Sequence, residues 1–266
     1  AVFVCLPESA GAGLTAYWPF DNDFNSLNDP NYNGVAYYNA VISTDDVKRG
    51  TGSLEIQSDG DEKGYVLVPP PYPIVGGQLE YTVVGWYRLV DVNDDGMSTR
   101  PVVWDAWSPG DGANTSKMSA RLDAATGKMD MEFWVDDVGE GEGSHNSYDG
   151  PVIWDNNASD WHHAALVWNR NTDVVRYYHD GELRVNLFTW EGYGGPGKDA
   201  LTTTTGWSIG CGETDTRHWD GYIDDVAVWD EELTGAAIRA LYEGTFDGNS
   251  VDPNNVLDVV ITRTAE

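Results

Sequence analysis

Along much of the chain, apolar residues alternate with polar ones or run in short β-branched and aromatic blocks. The clearest are "LTAYWPF" at 14–20, "YTVVGWYRLV" at 81–90, "KMDMEFWV" at 128–135, "WHHAALVW" at 161–168 and "VVRYYHDGELRVNLF" at 174–188. A period of two sends successive side chains to opposite faces, so each block predicts a strand. In the last block Asp180-Gly181 is the two-residue pair that tolerates positive φ, which predicts a tight hairpin. Helical periodicity is confined to "LTGAAIRALYEG" at 233–244, where Thr234 can cap the start, Ile238, Leu241 and Tyr242 share a face, and Gly244 can end the helix. One short helix among many strands predicts an all-β sandwich or barrel, not α/β. The dipeptide Trp-Asp begins at 104, 154, 219 and 229, a spacing too irregular for propeller blades. With no linker inside 13–244, the pattern predicts one domain with strand-like extensions at 1–12 and 245–266.

Composition narrows the functional classes. The 266 residues, 41% hydrophobic, with 12 Trp, 14 Tyr and 30 Gly, are enough for a large β domain with many turns. Fifteen Lys and Arg against 44 Asp and Glu leave a net charge of −29, which repels nucleic acid and anionic lipid. Such acidity either solubilises the surface or recruits cations. No run of about 18 apolar residues could span a bilayer. A start at Ala1 suits a mature, secreted form. Cys5 and Cys211 are then expected to form a disulfide, which by chain entropy stabilises by roughly 4–5 kcal/mol; in a reducing cell they would instead be two buried thiols. Val4 speaks against a lipid-anchored Cys5, because a small residue would be needed there.

Near the end, "DGYIDDVAVWDEELTGAAIRALYEG" (220–244) resembles the closing signature of bacterial laminin-G-like domains of the concanavalin A-like superfamily. "LTAYWPFDND" is similar to the opening strand of that family, "YTVVGWYRL" to its next core strand, and "WHHAALVWNRNTDVVRYYHDGEL" and "GWSIGCG" to its central hairpin and penultimate strand. The resemblance implies a two-sheet antiparallel jelly-roll sandwich with one short C-terminal helix. It departs at Ala237, where relatives often carry the Glu of a capping box. The sandwich would also bring the first strand, and with it Cys5, beside the strand holding Cys211.

This fold hosts lectins, adhesion modules, glycan hydrolases and inert spacers, so function must come from sites. Glycoside hydrolysis needs two carboxylates across one cleft. The β-glucanases of the superfamily carry Glu-x-Asp-x-x-Glu, and the nearest match, Glu213 to His218, ends in histidine. His162 and His163 fall in the "W-H-H" strand of the family and are read as structural. No catalytic residue is assigned.

Two acidic stretches offer hard oxygen ligands suited to calcium. In "FDNDFNSLNDPNYNG" these are Asp21, Asp23, Asn25 and Asp29; the resemblance implies calcium near this loop, with help from Asp224 or Asp225 of "IDDV". The alternative is that these carboxylates bond backbone amides and fix turns. In "DVNDDG", Asp91, Asn93 and Asp95 begin a calcium-loop pattern, but its twelfth position is Val102, which supplies no ligand, so an acidic turn between strands is expected. For ligand binding, Trp107, Trp190 and Tyr193 stand in Gly- and Pro-rich stretches, where an exposed ring could stack on a sugar or simply cover the sandwich edge. The leading expectation is a secreted, non-enzymatic module that adheres to extracellular glycan or matrix and is braced by calcium. The alternatives are a self-assembling structural subunit and, less favoured, a glycosidase. The terminal strands are expected to pair with their own sandwich rather than with a neighbour's edge.

Overall fold

The structure is a computed structural model that describes residues 13–57, 63–74, 80–91, 101–107, 117–123, 126–135, 144–152, 160–169, 171–172, 174–188, 206–212 and 217–244. The two terminal extensions lie outside the described residues. Among the described residues fifteen strands alternate with turns: β1 (Leu14–Trp18), β2 (Val35–Tyr37), β3 (Ala40–Ser43), β4 (Ser53–Ile56), β5 (Tyr65–Val68), β6 (Glu80–Leu89), β7 (Val102–Trp107), β8 (Lys117–Asp123), β9 (Lys128–Val135), β10 (Ser144–Val152), β11 (His162–Asn169), β12 (Val174–His179), β13 (Glu182–Phe188), β14 (Gly206–Ile209) and β15 (Gly221–Trp229). A 3₁₀ turn (Pro30–Tyr32) and the helix α1 (Gly235–Glu243) complete them.

Two antiparallel sheets result. The eight-stranded sheet runs β13-β12-β11-β6-β15-β4-β3, with β1 also paired to β15, and the seven-stranded sheet runs β10-β9-β8-β7-β14-β5-β2. The fold is thus the all-β, two-sheet sandwich with one helix that the sequence predicts. Alternate residues from both sheets meet in the main core, where Trp18 of β1 stacks on Trp207 of β14 at 6.1 Å. Trp104, Trp168 and Trp219 are fully buried in the same core. Burial of a tryptophan of 150–250 Å² contributes about 4–6 kcal/mol before the entropy of ordering is counted.

A smaller apolar cluster covers the outside of the eight-stranded sheet: Tyr17, Val84, Ala165, Val167, Ala227 and Trp229 lie under Ala237, Ile238 and Leu241 of α1. Two-sided coverage is why β6, β11 and β15 are buried almost throughout rather than alternating with solvent. The Thr234 side chain caps α1 by accepting from the Ala237 amide at 3.2 Å; Ala237 has no side chain to return the bond. Asp180 (φ 51°) and Gly181 (φ 73°) form the predicted primed turn between β12 and β13.

Candidate functional site

The central strand β15 carries an irregularity. Its register against β6 shifts between Asp224 and Ala227, and Asp225 adopts φ 50°. This bulge lets Ile223 and Val226, three residues apart, both enter the main core and leaves Asp224 and Asp225 outside it. At the same place the neighbour of β15 changes from β4, paired to 221–223, to β1, paired to 226–229. The amides of Lys48 and Arg49 approach β15 at this break.

Asp224 holds both amides. Its Oδ2 accepts from the amides of Lys48 (3.1 Å) and Arg49 (3.0 Å), while Oδ1 accepts from the Asp225 amide at 2.9 Å. Asp225 Oδ1 accepts from the Tyr17 hydroxyl at 2.5 Å, and its Oδ2 lies 3.6 Å from Arg49. The Arg49 guanidinium also donates to the carbonyls of Leu241 (2.7 Å) and Tyr242 (3.1 Å), which ties the last turn of α1 to the bulge. Burial, followed by the charge of Asp225, pushes the Asp224 carboxyl well above the ordinary carboxylate range, against the pull of the three amides. Burial also raises Asp225, opposed by Arg49 and the Tyr17 hydroxyl. Both carboxylates are committed to groups of the protein itself.

The opening loop is different. Residues Asp21, Asn22, Asp23, Asn25 and Ser26 line an open hollow beside Pro19 and Leu27. Asp21 Oδ1 accepts from the Thr51 amide and, at 3.1 Å, from the Thr51 hydroxyl. Asp23 takes both the amide (2.9 Å) and the side-chain nitrogen (2.7 Å) of Asn25. Asp29 caps the 3₁₀ turn by accepting from Asn31 at 2.9 Å. The hard-oxygen donors gathered at 21–25 fit calcium in kind, whereas those of Asp224 and Asp225 face amides, a phenol and a guanidinium.

Of the two histidines in the "W-H-H" strand, His163 shares the outer face with Ala165 and Val167 and packs against Trp86, ring centroids 5.1 Å apart. Burial, then Arg49, lowers its pKa to about 3, so it is neutral at physiological pH. His162 faces the other way, toward the rim of the main core.

An aromatic group not singled out from the sequence stands on the outer face of the seven-stranded sheet. Val66 and Val68 of β5 enter the core, so Tyr65 and Leu67 face outward. Tyr65 pairs across the strands with Tyr37, and the rings stack at 4.9 Å and 4°. Tyr38, in the following turn, is 56% exposed with its ring 6.1 Å from Tyr65. Inward from this edge the register runs Leu67, Ser208, Asp105, Ser119. Ser208, Asp105, Ser119 and the nearby Arg121 are buried polar residues on strands whose alternate positions fill the main core.

The remaining candidates are dispersed. Trp107 is the last residue of β7, paired with Gly206 of β14, rather than a loop residue. Asp91 follows β6 and lines an open hollow with Glu55, Gln57, Asp220 and Tyr222. Asn93, Asp95, Trp190, Tyr193, Glu213 and Cys5 lie outside the described residues, while Cys211 is buried beside Ser208, whose hydroxyl donates to its carbonyl at 2.9 Å. Among the described residues no helix is long and apolar enough to cross a membrane.

Solved structures with this fold include domain 4 of AbnA, an extracellular GH43 arabinanase of Geobacillus stearothermophilus, in complex with arabinotriose. Its TM-score is 0.58 at 16% identity, over 87% of this chain and 99% of that one. The binding domain of Paraclostridial Mosquitocidal Protein 1 gives 0.64 at 12%, over 88% of this chain and 53% of that one. The botulinum neurotoxin serotype G binding domain gives 0.60 at 12%, over 90% and 53%. This chain therefore spans about half the length of the toxin binding domains. No curated protein matches it. The Laminin_G_3 model, described as concanavalin A-like lectin/glucanases superfamily, matches residues 59–239, and the chain belongs to that family.

Proposed function

We propose that the chain is a secreted or cell-surface, non-catalytic module that adheres to extracellular glycan or matrix through the outer face of its seven-stranded sheet. The observation that carries this reading is the Tyr37–Tyr65 stack with exposed Tyr38 at the edge of that sheet. Aromatic faces accept the C–H side of a sugar. The arabinanase domain solved with arabinotriose, and a type C neurotoxin whose cell entry depends on two ganglioside molecules, support glycan as the ligand class for such a sandwich. The non-catalytic part is supported by the enclosure of the acid pair of β15: Asp224 is fully buried and Asp225 nearly so, with their oxygens engaged. Calcium is proposed as a brace of the Asp21–Asn25 loop, with Asp224 and Asp225 acting as internal clamps.

A glycan array and calorimetry, each run with calcium and with chelator, test the reading. Binding that is lost in Tyr38→Ala supports it; no glycan bound in either condition overturns it. A reducing-sugar assay on polysaccharides checks for hydrolysis.

One observation favours assembly as a second reading. Val35 and Tyr37 on edge strand β2, Tyr38, and Val41 on edge strand β3 are all exposed. Apolar edges invite pairing between copies. Size-exclusion chromatography and negative-stain microscopy separate a polymer from a monomeric lectin.

A further inference from the structure

At one end of the sandwich three donor atoms converge. His162 precedes Ala164, Leu166 and Trp168 on the core-facing side of β11, and His179 follows Tyr177 and Val175 on the same side of β12. Asp180 begins the turn just beyond. Its Oδ2 lies 2.9 Å from His162 Nδ1 and 3.3 Å from His179 Nδ1. All three donor atoms fall within 4.8 Å of one another.

We propose that His162, His179 and Asp180 form a binding site for a divalent transition metal, zinc being the best match. Two imidazoles and one carboxylate are a borderline-soft set, suited to zinc and unsuited to calcium. Tetrahedral bonds of about 2.0–2.1 Å place donor atoms roughly 3.3 Å apart, which is the scale of the observed separations. Three protein ligands leave a fourth position for water or a ligand atom.

The surroundings hold each donor in place. Asp180 Oδ1 is occupied by the His163 amide at 2.9 Å, and the Asp180 amide donates to the His163 carbonyl at 2.8 Å, so Oδ2 is turned toward the imidazoles. His179 Nε2 is 2.7 Å from the hydroxyl of buried Tyr87, the outer hydrogen bond that orients a metal-binding imidazole. His179 is 2% exposed, yet its Nδ1 makes no hydrogen bond. In the tautomer that donates Nε2–H to the Tyr87 hydroxyl, Nδ1 presents its lone pair toward Asp180 Oδ2, and a cation between them satisfies both. Burial lowers the pKa of His179 to about 4, which keeps it neutral and able to ligate. Lys48 and Arg184 add positive charge nearby, which disfavours weak, purely electrostatic cation capture. His162 and Asp180 are partly exposed and supply the route of entry.

The full chain, freed of metal with chelator and kept in millimolar calcium to occupy carboxylate sites, is titrated calorimetrically with zinc chloride; cobalt(II) is the spectroscopic probe. The expected result is one equivalent of zinc at micromolar or tighter Kd, and visible absorption of tetrahedral cobalt with imidazole ligation. His162→Gln and Asp180→Asn, both partly exposed and the latter tolerant of the turn, should each weaken zinc at least tenfold without altering calcium-dependent melting. Absence of a one-to-one event, or zinc binding unchanged in both variants, overturns the proposal. Failure of glycan binding would not bear on it.

Discussion

The hydroxyl of Tyr17 donates to Asp225 at 2.5 Å, joining the first strand of the fold to the bulge of its central strand, 208 residues later. Tyr17→Phe leaves the ring and removes one donor from a buried carboxylate. The expected cost is about 1.5–3 kcal/mol in urea denaturation, with the slope unchanged. A loss under about 0.5 kcal/mol would mean that Arg49 alone satisfies Asp225.

Asp224 is a clamp on backbone amides, so its removal strands three donors. Asp224→Ala is expected to destabilise by roughly 3 kcal/mol or more, and Asp224→Asn, which keeps one carbonyl acceptor, by clearly less. If instead the two variants lose melting temperature equally and only in the presence of calcium, Asp224 is a metal ligand.

Gly181 holds φ 73°, and a Cβ placed there would sit 2.8 Å from Tyr242 Cβ on the helix. Strain and collision act together in Gly181→Ala. The expected loss is about 1–2 kcal/mol, and trimming Tyr242 to Ala in the same chain, which removes Cγ and Cδ1 but keeps Cβ, should recover only part of the steric share and none of the backbone strain.

Acid should weaken the fold below about pH 6.5. His163 and His179 have folded pKa values lowered to about 3 and about 4, so the unfolded chain binds more protons in this range. Their contribution is complete above the ordinary histidine value of about 6.5 and is lost as pH falls through the range between. By pH 4 the combined loss is on the order of 6 kcal/mol before the opposing effect of Asp224. Asp224, raised by burial, acts in the opposite sense: its folded form prefers the proton, so it costs stability as pH rises above about 4. Melting temperature across pH 4–8 in wild type and His163→Phe tests the assignment, and the variant should show the flatter profile.

Tyr38 is exposed, with its ring beside those of Tyr37 and Tyr65. Tyr38→Ala should shift the melting temperature by no more than a degree or two while weakening glycan at least tenfold. Equal glycan binding in both proteins would remove the platform from the reading.

Local pattern alone determined the strands of 81–90, 161–168 and 174–188, the Asp180-Gly181 turn, the capped helix and the all-β class, while the two-sheet sandwich followed from the family resemblance. Alternation, positive-φ tolerance and capping are properties of neighbours in sequence, so they can be read without knowing what lies across the core. What Asp224 and Asp225 do was decided only in three dimensions. "IDDV" offers two carboxylates, but their partners are the amides of Lys48 and Arg49 and the hydroxyl of Tyr17, brought there by a bulge where β4 gives way to β1. The same holds for His162, His179 and Tyr87: the two histidines lie on adjacent strands and point inward at one rim, a juxtaposition set by the pairing of β11 with β12 and β6. Strand register is fixed by burial over the whole sheet, and a one-residue slip or bulge reverses which side chains meet, so no short stretch of sequence carries that information.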